Sequence, residues 1–253
     1  GAVKAPPVEW RRPVYSFISL FRSPLFVLGC VVATTSWGFH VAALALAPIS
    51  VVQSVIAGGL VLVTVLADRV FGHAVSRREW IGVGLTAAGL AFLAATLEGT
   101  VDEAHSDYGN VALSATLVVS TLGALALMAR GGSGPALAVA AGLLWGGSDI
   151  TIKALSDHTD LGLGVAVHPF ALVILIWSLV GLLVSARSLQ LGPVVPVIAL
   201  TSATANTLTI ASGPAVFGEP LPEDPAALLA RLAAFALVIT AAAMTPPPEL
   251  ETA

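Results

Sequence analysis

The stretch SPLFVLGCVVATTSWGFHVAALALAPISVV, residues 23–52, decides the fold. Between Pro24 and Pro48 it contains no Asp, Glu, Lys or Arg. A helix needs about 20 apolar residues to cross a bilayer, and this run meets that length. The stretch HPFALVILIWSLVGLLVSARSLQLGPVVPV, residues 168–197, repeats the frame, with Pro169 and Pro193 spaced as Pro24 and Pro48 are. Each copy continues through a second apolar segment to a Phe-Gly pair, Phe71-Gly72 and Phe217-Gly218. Each then closes with a third apolar segment, 79–97 and 227–245. The unit is three helices, and it occurs twice.

Composition agrees. The 253 residues are 57% hydrophobic and 10% charged, where a soluble domain carries about 25% charged residues. Mean hydropathy is +0.93. Eight apolar segments are predicted as transmembrane helices: 24–47, 49–71, 79–97, 110–129, 135–155, 167–187, 193–215 and 227–245. Glycine, proline and polar stretches such as RGGSGP (130–135) and GEPLPEDP (218–225) separate them. The fold class expected is an all-α integral membrane protein. The runs are too long for strands, and the short alternating segments of a barrel are missing.

Five helices separate the starts of the two copies. An odd number makes the copies enter from opposite sides, so the repeat is inverted, a feature of secondary transporters. The second copy is preceded by helix 135–155 and the loop 156–166. The first is preceded only by residues 1–22, whose apolar stretch 13–21 is too short to span. Symmetry therefore predicts a ninth helix ahead of Gly1. The expected organisation is a cytoplasmic segment 1–22, a first repeat 23–97 of three helices without its leading helix, an outer loop and linker helix 98–134, a second repeat 135–245 of four helices, and a cytoplasmic tail 246–253.

Placing the N-terminus inside puts nine of the Lys and Arg residues, including Arg11, Arg69, Arg77 and Arg130, on the inner side. It leaves only Lys153 and Arg231 outside, as the positive-inside rule requires. A multi-pass protein of the inner or plasma membrane with both termini cytoplasmic is expected. Glu98, Asp102, Asp157, Glu219 and other acids collect outside. They either attract cations or simply fill loops where Lys and Arg are disfavoured. The opening GAVKAPPVEWRR shows no signal-peptide pattern. Cys30 is the single cysteine, so no disulfide forms within the chain.

The motifs ALALAPISVVQSV (43–55), FGHAVSRREWIGVGLTAAGLAF (71–92), GLLWGGSDITIKAL (142–155) and FGEPLP (217–222) resemble the EamA-type pattern of the drug/metabolite transporter superfamily. The nine-helix count is most similar to the subgroup related to NIPA-type magnesium transporters. The resemblance covers roughly 23–97 and 136–245. It implies solute transport by alternating access without fixing the substrate. His73 stands where the first Gly-Glu step would carry its acid.

Candidate substrate-binding residues are the polar ones at membrane depth, which normally face the bundle interior or a cavity. In TSATANTLTIAS (201–212), Ser202, Asn206 and Thr209 share a face by i, i+4, i+7 spacing. They either line a cavity or serve small-residue packing. His40 is either a proton-coupling group or a hydrogen-bonded interior histidine; Trp37, beside it, is a cavity candidate. Gln53 is either a vestibule or an interfacial residue. Asp149 and Lys153 lie four residues apart and can pair, with Trp145 one turn inward. There Asp149 either binds a cationic group or exchanges a proton, or the pair merely ends the span. A Mg²⁺ substrate would want oxygen ligands, for which Asp149 and Asn206 are the candidates.

Catalytic motifs are missing, and GGSG (131–134) follows no strand. No enzyme activity and no cofactor are expected. Expected partners are the lipid bilayer, a small-molecule or cation substrate and, for assembly, a second copy in a homodimer. Nucleic acid is not among them. The expected function is a secondary transporter. The alternative is a non-transporting membrane scaffold or accessory subunit that keeps the fold.

Overall fold

The computed structural model describes residues 9, 11–69, 77, 80–82, 84–85, 88–89, 107–130 and 133–243. Among them no strand occurs. The helices are α1 (Pro13–Leu20), α2 (Pro24–Leu46), α3 (Ile49–Arg69), α4 (Asn110–Ala129), α5 (Gly134–Leu155), α6 (Pro169–Leu191), α7 (Val194–Val216) and α8 (Pro225–Ala243). A 3-10 helix, Ser156–Val167, stands where a loop was expected. Most of the segment 79–97 lies outside the described residues, as do His73, Glu98 and Asp102.

Four helical stretches of the described chain are long and apolar enough to cross a membrane: Pro24–Leu46, Asn110–Ala129, Gly134–His158 and Pro169–Leu191. This is compatible with an α-helical membrane protein. Helices α3, α7 and α8 occupy the places of three further expected segments.

Two helix pairs are built alike. Pro24 opens α2 and Pro169 opens α6. A proline has no N–H to leave unsatisfied in the first turn, and its fixed φ suits a helix start. Both helices run 23 residues and then break into extended backbone, at Ala47 with φ −143°, ψ 158° and at Gly192 with φ −142°, ψ 167°. The cause is local: Pro48 and Pro193 follow, and a residue before proline is pushed out of the helical region. A second helix, α3 or α7, starts at once.

Helix α5 is the hub: 67% of its span is buried, against 17% for α4 and 22% for α6. Small residues bring it close to its neighbours. A Cβ at Gly142 would lie 2.6 Å from the Thr201 carbonyl oxygen, and one at Gly134 would lie 2.6 Å from the Gly192 Cα. Small residues at such crossings let helix backbones approach. Contacts along the helices fix their directions. The Ser188 hydroxyl donates to Gly134 O at 2.7 Å and Ser148 meets Ser178 at 3.4 Å, so α5 and α6 are antiparallel. Gly142 faces Thr201 and Thr204, and Gly146 faces Ala205 and Leu208, so α5 and α7 are parallel. The outward sides of α4 and α6 remain apolar, with Val111, Val118, Val119, Leu172 and Leu175 exposed.

Candidate functional site

Three helices converge on Asp149. Helix α5 carries the carboxylate, α2 carries His40 and α3 carries Gln53. The His40 Nε2 lies 3.0 Å from Asp149 Oδ1, and the Gln53 Nε2 donates to Oδ2 at 2.9 Å. Gln53 is buried, at 1% exposed. An ionised carboxylate only accepts hydrogen bonds. His40 must then carry its proton on Nε2. Its Nδ1 is buried with no hydrogen-bond partner among the described residues. That atom offers a lone pair if the ring is neutral and a second N–H if it is charged.

The expected pairing of Asp149 with Lys153 is not made. Lys153 is fully buried, and its Nζ donates to Leu44 O at 2.7 Å and Ala47 O at 2.9 Å. The reason is physical. The last carbonyls of a helix have no intrahelical donor, and the break at Ala47 leaves those of α2 within reach of a long cationic side chain. Lysine near a helix C-terminus satisfies such carbonyls and complements the dipole. Spacing of i, i+4 puts Asp149 and Lys153 on one side of α5 but does not decide which neighbour each meets.

Glu219 stands on the far side of the same break. It is 6% exposed, and the Ser50 backbone N–H, in the first turn of α3, points at its Oε1 at 3.4 Å. Its position follows from the end of α7. Phe217 N–H donates to Ser212 O and Gly213 O, and Glu219 N–H returns to Gly213 O at 3.1 Å. Gly218 between them has φ +63°, a conformation glycine adopts without steric cost. Lys153 and Arg231 both lie within electrostatic reach of Glu219, and Arg231 Nη1 also donates to Pro220 O at 3.0 Å.

The remaining sequence candidates divide. Asn206 and Thr209 are buried on α7 and Ser202 is half-buried, as a shared inward face requires. The Thr209 hydroxyl is spent on its own helix, donating to Ala205 O at 2.9 Å. Trp145 packs with Trp177 and Val180 in an apolar cluster between α5 and α6 and is not a partner of Asp149. Trp37 is exposed on α2. An open depression near the start of α2 is lined, among the described residues, by Phe21, Cys30, Val31 and Thr35 with Val27 and Thr34. Among the described residues no three His, Cys, Asp or Glu side chains gather to hold a metal ion.

A second polar cluster brings together residues from both ends of the 3-10 helix. Tyr108 Oη meets His158 Nε2 at 3.0 Å, and the His158 and His168 rings stack with centroids 4.7 Å apart. The His168 Nδ1 accepts from the Phe170 N–H at 3.2 Å and so caps α6. Burial, and then the Asp157 charge, push the Tyr108 phenol above its ordinary value.

Sequence reasoning named His40, Gln53 and Asp149 separately without joining them, because nothing local says that positions 40, 53 and 149 meet. It read Glu219 as an outer-loop acid, although the FGEPLP motif marked it. No family model, no curated protein and no solved structure matches this chain.

Proposed function

We propose that this chain is a multi-pass membrane protein of the drug/metabolite transporter type, with eight spans in two inverted three-to-four-helix repeats. It carries a small solute or cation by alternating access across the inner or plasma membrane, with its termini on the cytoplasmic side. One observation carries the reading: a carboxylate, an imidazole and a carboxamide from three different helices meet in the interior. Polar groups at that depth are costly and mark substrate or proton pathways.

The helix directions support the repeat. Contacts of His40 with Asp149 and of Leu44 and Ala47 with Lys153 run α2 parallel to α5. As α5 is antiparallel to α6, the matching helices α2 and α6 run in opposite senses, as inversion demands. The twin extended breaks at Ala47 and Gly192 support it too. The exposed apolar sides of α4 and α6 fit contact with lipid; a soluble monomer rarely leaves apolar patches of this extent in water.

In this reading Asp149 is the charge that the cargo answers. A cationic group takes the place of the His40 and Gln53 donors, or a proton neutralises the carboxylate. Gln53 can turn its amide oxygen toward a bound cation, since the two ends of an amide differ little in shape. The test is uptake into vesicles containing the purified full chain, across a panel of Mg²⁺, organic amines and neutral metabolites. Wild type carries at least one of them. Asp149→Asn, reconstituted at the same level, slows that flux by about tenfold or more, the kinetic equivalent of ~1.4 kcal/mol. Unchanged flux in the Asn variant contradicts the assignment of Asp149.

A further inference from the structure

The geometry points to Lys153 and Glu219 as an opposite-charge clamp on the break between α2 and α3, which positions His40 and Gln53 on Asp149. The inference rests on the transport reading for its functional consequence and on the contacts alone for the clamp.

The registers are the argument. On α2, His40 lies one turn before Leu44, and on α5, Asp149 lies one turn before Lys153. The pairs His40–Asp149 at 3.0 Å and Lys153–Leu44 O at 2.7 Å are therefore successive rungs between two parallel helices. On α3, Ser50 lies one turn before Gln53. The Ser50–Glu219 contact at 3.4 Å is the rung before Gln53–Asp149 at 2.9 Å. Each central contact thus has a charged anchor one turn nearer the break.

The anchors match the backbone they grip. A cation meets the C-terminal carbonyls of α2, and an anion meets the Ser50 N–H in the first turn of α3; both signs suit the helix dipoles. Lys153 is 0% exposed and Glu219 is 6% exposed. Charges so placed persist only when paired and hydrogen-bonded, and the two lie within electrostatic reach of each other. The matching break at Gly192 is held differently, by backbone contact with Gly134. One break is closed by glycine packing and the other by charge, so only the first is fixed by shape alone. A charge clamp on the second holds His40 and Gln53 on Asp149 together.

The clamp is read by electron spin distances between labels on Phe39→Cys and Val111→Cys, both exposed, in a Cys30→Ser background of the full chain in vesicles. With Lys153 and Glu219 intact the distribution is narrow. Lys153→Met and Glu219→Gln broaden and lengthen it by about 5 Å, one helical turn, and Lys153→Arg, which keeps charge and donors, restores it. Asp149→Asn leaves the distance unchanged while it slows uptake. Should Lys153→Met fail to fold, Glu219→Gln decides alone, because its amide retains the size of the original. An unchanged distribution in every folded variant of the two overturns the clamp. Since the distance is read without solute, loss of the transport reading, seen as full uptake by Asp149→Asn, is a separate result.

Discussion

At Asp149 the carboxylate has two donors, and each comes from a helix far away in sequence. Hydrogen bonds to charged groups contribute about 1.5–3 kcal/mol each. Gln53→Leu keeps the volume roughly and removes the donor at Oδ2. It is expected to lower thermal stability in detergent by a margin of that order, while the chain still inserts; an unchanged melting temperature would mean that the bond contributes nothing. Tyr108 makes a prediction of a different kind. Its folded-state phenol is raised above the ordinary 10.0, first by burial and then by Asp157. The folded state then holds its proton where the unfolded chain has lost it. That stability is fully present below the unfolded value and is lost as pH rises through the folded one. The chain has only two tyrosines, so alkaline absorbance titration of Tyr15→Phe reads Tyr108 alone. It should ionise later than free tyrosine, and Tyr108→Phe should flatten the alkaline loss of stability.

At the scale of elements, helix ends were more legible in the sequence than helix partners. Pro24, Pro48, Pro169 and Pro193 act on their own neighbours, so α2 and α6 begin where the prolines place them and break just before the next ones. The candidate site was half legible. Depth and polarity singled out His40, Gln53 and Asp149, but spacing on α5 suggested Lys153 as the partner of Asp149. The orphan carbonyls at Leu44 and Ala47 win that lysine, and they belong to another helix. Residues 156–166 read as a loop because glycine and acids interrupt the apolar pattern; tight i, i+3 turns tolerate both. The hub position of α5 was legible only in hindsight from Gly142, Gly146 and Gly147. Gly142→Leu is expected to force α5 and α7 apart, costing about 1–3 kcal/mol. Size-exclusion profiles and melting curves of the purified variant check it, and a wild-type profile and melt would rule out close contact there.

Across the described residues, two twin helix pairs surround a buried hub, and a polar cluster forms where α2, α3 and α5 meet. A scaffold that kept the fold would need the hub but not a carboxylate reachable from water. A transporter needs that carboxylate to face each side in turn. The α2–α3 break is met by the Lys153 and Glu219 side chains and the α6–α7 break by close glycine contact. The most direct measurement places a single cysteine at the centre, His40→Cys in a Cys30→Ser background, and reacts it with a membrane-impermeant thiol reagent in right-side-out and inside-out vesicles. Alternating access predicts labelling from both sides, with cargo or a pH step raising one rate as it lowers the other. Labelling from one side only, or from neither, would contradict it.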